Sequence, residues 1–191
     1  MRKIILDLAV TLDGFIEGPN GEIDWCIMDS EGAGDFTGFL DDVDSIFYGR
    51  VSYDLWGNYQ PGEHDSPVIK SLYKSVHSKT KYVFTSSDAA GDGKAIFINS
   101  DIRERVNEIR DQPGKNIWLY GGANLITTFI NLGLVDIYRL AVHPVILGAG
   151  KPLFKDIQQR VGLKLVEAKG SGSGVVLLSY SADRHFDSPE G

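Results

Sequence analysis

The stretch Ile117-Trp118-Leu119-Tyr120-Gly121-Gly122-Ala123-Asn124-Leu125-Ile126 decides how this chain is read. An apolar run breaks at paired glycines and opens directly into a helix-like pattern. That arrangement lets bare main chain approach a phosphate without Cβ interference, while the amides at the helix start point outward with the positive end of the dipole. A plain tight turn is the other reading of the same ten residues. The turns found elsewhere in the chain bear on the choice.

Working outward, β-branched and apolar runs alternate with segments of helical period. Strands are expected at 4–10, 45–48, 81–85, 95–98, 116–120 and 135–142, and helices at 36–43, 51–56, 68–76 and 101–110, with a further helix from the glycine pair to about Gly133. Ser100 or Asp101 caps the fourth of these helices. Such alternation predicts an α/β fold with helices on both faces of a mostly parallel sheet. Two final runs, 163–167 and 175–180, flank the Gly/Ser stretch 170–174 and read as an antiparallel hairpin closing one sheet edge. Near the start, Thr11-Leu12-Asp13-Gly14 forms a turn and Phe15 and Ile16 resume extended structure. A long loop follows, in which Gly18-Pro19-Asn20-Gly21 and the glycine-rich stretch 31–34 flank Asp24-Trp25. A second strand ends in glycine plus helix at Gly49-Arg50.

Composition narrows the function classes. The 191 residues are 42% hydrophobic, enough for one packed core, and are read as a single domain over 1–182 with a polar tail at 183–191. Formal charge is −7, and no Lys/Arg cluster tracks a polyanionic backbone, so nucleic acid is not an expected partner. Cys26 is alone and forms no internal disulfide. The apolar run 4–10 is too short for a membrane span and contains Asp7, so a soluble, cytoplasmic protein is expected. His143 has no second histidine nearby, and His64, His77 and His185 lie in polar segments; no metal site is predicted.

Taken together, Leu8-Ala9-Val10-Thr11-Leu12-Asp13-Gly14-Phe15-Ile16, Gly49-Arg50-Val51-Ser52-Tyr53, Thr85-Ser86-Ser87 and Tyr120-Gly121-Gly122-Ala123-Asn124-Leu125 carry a family resemblance. Gly133-Leu134-Val135-Asp136 and Pro144-Val145-Ile146-Leu147-Gly148 extend it. In order and spacing the chain resembles the dihydrofolate reductase-like family, particularly the reductase domain at the C-terminus of the bifunctional riboflavin-biosynthesis deaminase-reductase. That resemblance implies NADPH as cofactor and hydride delivery to a small pterin-like, pyrimidine or other conjugated heterocycle. It also makes a homodimer paired through domain edges plausible.

On this reading the cofactor contacts are Ala9, Thr11, Asp13, Gly14, Ile16, Gly49, Arg50, Ser52, Thr85, Ser86, Ser87, Gly121, Gly122, Asn124 and Leu125. Three strand ends running into glycine, hydroxyl residues or a helix start lie together at one edge of a parallel sheet, where open α/β sheets bind ligands. No G-x-G-x-x-G fingerprint is present. Arg50 with Ser86 and Ser87 suits an extra 2′-phosphate, since a planar guanidinium pairs bidentately with phosphate oxygens; a surface arginine is the alternative. Asp13 and Gly14 either sit beside the nicotinamide or only form a turn.

Asp7 lies in an apolar strand, where an unpartnered carboxylate is costly, on the same face as Ala9 and Thr11. Either it meets the substrate, orienting ring N–H groups or supplying the proton, or it is bonded to backbone or paired with a lysine or arginine. Asp35 with Phe39 one turn later echoes the family's acid–aromatic pair, with a helix N-cap as the alternative for Asp35. Trp25 is expected to close over the nicotinamide or to cover core surface; His143 is a substrate contact or structural. Two rivals to an enzyme are a non-catalytic NADP(H)-binding sensor and a plain scaffold.

Overall fold

The computed structural model describes residues 1–27, 30–87 and 93–183, without the side chains of 30–35. Its elements run β1 (Ile4–Thr11), β2 (Phe15–Glu17), α1 (Ser30–Asp41), β3 (Val43–Gly49), α2 (Arg50–Ser52) continuing as a π-helical turn (Tyr53–Gly57), α3 (Pro67–His77), β4 (Thr80–Phe84), β5 (Ile96–Ile98), α4 (Ile102–Asp111), β6 (Asn116–Gly121), α5 (Ala123–Asn131), β7 (Ile137–His143), β8 (Lys151–Pro152), β9 (Gly162–Gly170) and β10 (Val176–Asp183). The main sheet has the order β5-β4-β3-β6-β1-β7-β10-β9. The six strands from β5 to β7 are mutually parallel, and β10 and β9 add an antiparallel pair at one edge. The α/β architecture with a C-terminal hairpin is the one expected from the sequence pattern.

Alternation along β1 divides the interior into two cores. Ile4, Leu6 and Val10 pack with Val106 and Ile109 of α4 and with Leu125, Ile126, Phe129 and Ile130 of α5. Ile5 faces the other way, into a core shared with Phe39 and Leu40 of α1 and Val76 of α3. The offset between β1 and β7 is set at their first residues. The Asp136 carboxylate accepts the Ile4 amide at 2.9 Å and pairs with Arg110 at 2.8 Å, which aligns Ile5 with Ile137 and every later pair, down to Thr11 with His143.

Several boundaries differ from the sequence reading. Helix α1 begins at Ser30, so the glycine-rich stretch 31–34, expected as loop, is helical. Packing of Phe36 and Phe39 against Trp118 outweighs the poor helix propensity of glycine. Asp35 therefore lies inside α1 rather than capping it; its side chain is outside the described residues. Val43, assigned to that helix by its spacing, starts β3. Phe15 and Glu17 pair with Pro152 and Lys151 in a small antiparallel ladder within a segment expected to be irregular. Strand β10 continues to Asp183, the first residue of the expected tail, and 184–191 lie outside the described residues. No helix among the described residues is long and apolar enough to cross a membrane.

Candidate active site

The C-terminal ends of β1, β3, β4, β6 and β7 lie at one edge of the sheet, and two glycine turns touch there. A Cβ built on Gly49 would stand 3.3 Å from the Gly122 amide nitrogen and 3.5 Å from the Gly121 carbonyl oxygen, and one on Gly122 would stand 3.1 Å from Ser52 Oγ. The turn carrying Arg50 is thus in contact with the glycine pair. Gly121 has φ +114°, its peptide to Gly122 is cis, and a Cβ there would meet Ile126 Cδ1 at 2.9 Å. Helix α5 starts at Gly122 with no side-chain cap. No side chain therefore caps the first amides of α5, those of Ala123, Asn124 and Leu125. The Leu125 side chain is buried in the α4/α5 core, so only its backbone is on offer to a ligand.

Arg50 is half-exposed; its Nε donates to Asp54 at 2.7 Å and its guanidinium carbon lies 5.5 Å from the Phe97 ring centre. The register Gly49 with Phe84 carries the chain from β4 into Thr85, Ser86 and Ser87 at the same edge. Thr85 Oγ1 and Ser87 Oγ are 3.0 Å apart, and Thr85 Oγ1 accepts the Ser87 amide at 3.2 Å.

At the end of β1, Thr11 is buried. Its hydroxyl donates to Asp13 at 2.6 Å and accepts the Phe15 amide at 2.9 Å. Asp13 also accepts the amides of Leu147 at 3.3 Å and Gly148 at 2.8 Å. These bonds, that from Thr11 foremost, hold its carboxyl below the usual range. The Asp13 carboxylate fastens the turn to the segment after β7. Gly14 has φ +88° with nothing within 4 Å of a built Cβ, so open space adjoins the backbone there. Ile16 in β2 is half-buried against the α4/α5 core.

On the α1/α3 face, neighbouring β1 and β7 residues form three rungs: Asp7 with Arg139, Ala9 with Ala141, and Thr11 with His143. Asp7 is 7% exposed and ion-paired with Arg139, whose guanidinium carbon lies 5.0 Å from the Phe39 ring centre. The Trp118 indole donates to the Asp7 carbonyl at 2.9 Å. Phe36, Phe39 and Tyr120 surround that indole at ring distances of 5.1 to 5.6 Å. The deep end is therefore an ion pair framed by aromatic rings, and the middle rung carries only two methyl groups. Both alanines are half-buried. At the outer rung, Trp25 meets the His143 ring edge-on at 5.3 Å, and Cys26 Sγ lies 3.7 Å from His143 Nε2. His143 is 2% exposed, with Nδ1 3.0 Å from the Ala141 carbonyl oxygen. A carbonyl only accepts, so Nδ1 carries that hydrogen and Nε2 faces the thiol. Burial pushes the Cys26 thiol up.

The structure thus groups Gly49, Ser52, Gly121 and Gly122 at one contact, joins Asp7 to Phe39 through Arg139, and brings Trp25 to the end of β7. For Asp7, the pairing with an arginine is the reading realised. A carboxylate held by a guanidinium keeps lone pairs free to accept further hydrogen bonds. Sequence reasoning gave no role to Arg139, Ala141, Trp118 or Tyr120. Arg139 had a visible signal, a charge in an apolar strand like that of Asp7; the others depend on register. Among the described residues no three His, Cys, Asp or Glu side chains group as a metal site.

Residues 2–177 match the family model of the RibD C-terminal domain. The chain is 60% identical over 179 residues to the uncharacterized protein YyaP of Bacillus subtilis (strain 168), covering 94% of each. Among solved structures it is similar to a putative riboflavin biosynthesis protein from Shewanella sp. PV-4, with TM-score 0.76 and 20% identity, covering 96% of this chain and 100% of that one. It is also similar to dihydrofolate reductase from Enterococcus faecalis complexed with NADP(H), with TM-score 0.64 and 15% identity, covering 95% and 96%. The two structural likenesses show the fold alone; the family model and the B. subtilis relative show the family. This chain belongs to the RibD C-terminal domain family, the reductase domain of riboflavin-biosynthesis enzymes.

Proposed function

We propose that this protein is a cytoplasmic NADPH-dependent reductase that transfers hydride to a small conjugated heterocycle of pterin or pyrimidine type. The observation that carries the proposal is the contact of the Gly49 turn with Gly122, beside uncapped helix amides and a floor of two alanines. With no Cβ at either position the two turns pack backbone against backbone, so main-chain amides rather than side chains border the rim where a pyrophosphate would lie. The residues present fit the cofactor.

The cofactor supplies the hydride and its electron pair; positioning falls to this chain. Gly121, Gly122 and the first amides of α5 hold phosphate, and Arg50 with Thr85, Ser86 and Ser87 faces the adenosine end, where its guanidinium favours the 2′-phosphate of NADPH. Ala9 and Ala141 admit a flat ring, and Thr11, Asp13 and Gly14 shape the turn bordering it. Asp7, oriented by Arg139, accepts N–H groups of the heterocycle, with Phe39 at its side. Trp25 excludes water at the outer rung. A homodimer is part of the proposal: β9 is an edge strand with Leu163, Leu165 and Val166 exposed, a surface that a second copy covers.

Thermal-shift measurement with NADPH, followed by its oxidation at 340 nm across a heterocycle panel, tests this reading. Stabilisation with turnover is expected. Stabilisation without turnover on any member of the panel contradicts the enzyme in favour of a sensor, and no stabilisation contradicts the cofactor site itself.

A further inference from the structure

One polar group on the site face has no internal job. Strands β1 and β6 are in register with Ile5 beside Trp118 and Leu6 beside Leu119, so two residues beyond the first pair Asp7 and Tyr120 follow on the same face. The Tyr120 ring is fixed from two sides, 5.1 Å from Trp118 and 4.9 Å from Tyr48. Its hydroxyl makes no hydrogen bond among the described residues, yet no sealed side-chain polar atom lacks a partner. The Tyr120 oxygen is therefore not fully sealed, while its ring is packed in the aromatic wall.

Neighbouring groups on this face are engaged elsewhere. Asp7 is held by Arg139, the Trp118 N–H by the Asp7 carbonyl, His143 Nδ1 by the Ala141 carbonyl, and the Thr11 hydroxyl by Asp13. The titratable groups that act on Tyr120 are Tyr48 of β3, Tyr73 of α3, Glu17 of β2 and Cys26 of the loop after it, and Asp7, ion-paired with Arg139, shares its face. Burial first, then Tyr73, Glu17 and Cys26, push the phenol well above its usual range, so it stays a donor at any working pH.

We propose that Tyr120 is a catalytic residue, its hydroxyl hydrogen-bonding the ring heteroatom that gains the proton during reduction. This rests on the reductase reading above. NADPH, when bound, would supply hydride to the carbon of a conjugated C=N or C=O group, forming the new C–H bond there. The π pair moves onto the heteroatom, the Tyr120 O–H bond breaks, and its proton goes to that heteroatom. Water at the accessible side returns a proton to the phenolate, so the sum is NADPH plus one proton consumed and NADP⁺ formed.

The test is Tyr120→Phe in the full chain, which keeps both ring contacts. Melting within ~1 °C of wild type is expected, since the hydroxyl has no internal partner. NADPH affinity is expected to stay within about twofold, while kcat falls ~100-fold, the usual scale for losing a general acid. Binding is also read without cofactor, by quenching of tryptophan fluorescence with pterin, dihydrofolate and 5,6-diaminouracil. The tightest of the three is expected to bind the variant ~10-fold more weakly. Heterocycle affinity within about twofold of wild type, wild-type binding of none of the three, or a large fall in melting temperature would each overturn the assignment. A wild-type protein that binds heterocycle but not NADPH would instead sink the reductase reading and with it the proton-transfer step.

Discussion

Replacing Arg139 with Met should destabilise the protein by an amount that depends strongly on pH. Asp7 is 7% exposed and its partner's side chain 14%, so Arg139→Met removes a guanidinium that pairs with a buried carboxylate. Left ionised, that carboxylate costs about 3–5 kcal/mol. The alternative is to take up a proton, at about 1.4 kcal/mol for every pH unit above the unfolded aspartate value of about 3.9. At pH 7 the two costs are similar and the loss is ~4 kcal/mol; at pH 5 neutralisation wins and the loss shrinks to ~1.5 kcal/mol. The sign follows from linkage. In the variant the folded-state pKa of Asp7 is raised above its unfolded value, so stability is present at low pH and is lost as pH rises. Urea unfolding at pH 5, 6 and 7 measures this directly. Asp7→Asn combined with Arg139→Met should remove most of the pH dependence, because no charge is left to bury. A loss under ~1 kcal/mol, or one of equal size at pH 5 and pH 7, would refute the reasoning that Asp7 is buried and that its pairing with Arg139 offsets the burial of its charge.

Other consequences follow from the same geometry. Gly122→Ala places a methyl 3.1 Å from Ser52 Oγ, which can yield, so folding should survive while NADPH affinity falls ~10-fold by calorimetry. Gly121→Ala should instead lose ~1–3 kcal/mol in urea unfolding, because its φ of +114° is a region L side chains avoid and Ile126 Cδ1 blocks the methyl. Arg50→Gln should leave stability unchanged within ~1 kcal/mol, since its pair with Asp54 is half-exposed, yet narrow the preference for NADPH over NADH ~10-fold or more. Asp13 has a folded pKa below its usual 3.8, so it adds stability above that value that is lost as pH falls through the lowered one. Acid unfolding followed by circular dichroism should accordingly show a shallower acid limb for Asp13→Asn than for wild type.

What could be read from the chain follows from how local each signal is. Strand β1 was legible because seven residues of apolar, β-branched sequence need no partner to be recognised, and Asp7 stood out as the one charge among them. The glycine turns at 49 and 121–122 were legible because glycine reports a backbone requirement directly. That they share one sheet edge was expected, but their direct contact was not read, since it joins β3 to β6 across residues far apart in sequence and depends on the sheet order. The same holds for the partner of Asp7: Arg139 is 132 residues away and becomes a neighbour through the register that Asp136 anchors. Helix α1 began earlier than expected because propensity is local while the packing of Phe36 and Phe39 on Trp118 is not. Tyr120 was quoted as part of a motif, but the ring packing that leaves its hydroxyl without a hydrogen-bond partner among the described residues is set by neighbours far away in sequence, which no pattern of residue types reports.

The measurement that reaches the central claim most directly is a crystal structure of the full chain soaked with NADPH. The account predicts pyrophosphate density against the amides of Ala123 to Leu125 with Gly49 and Gly122 in van der Waals contact with the cofactor, and the nicotinamide over Ala9 and Ala141. A dinucleotide bound at another edge of the sheet, with neither glycine turn in contact with it, would contradict it.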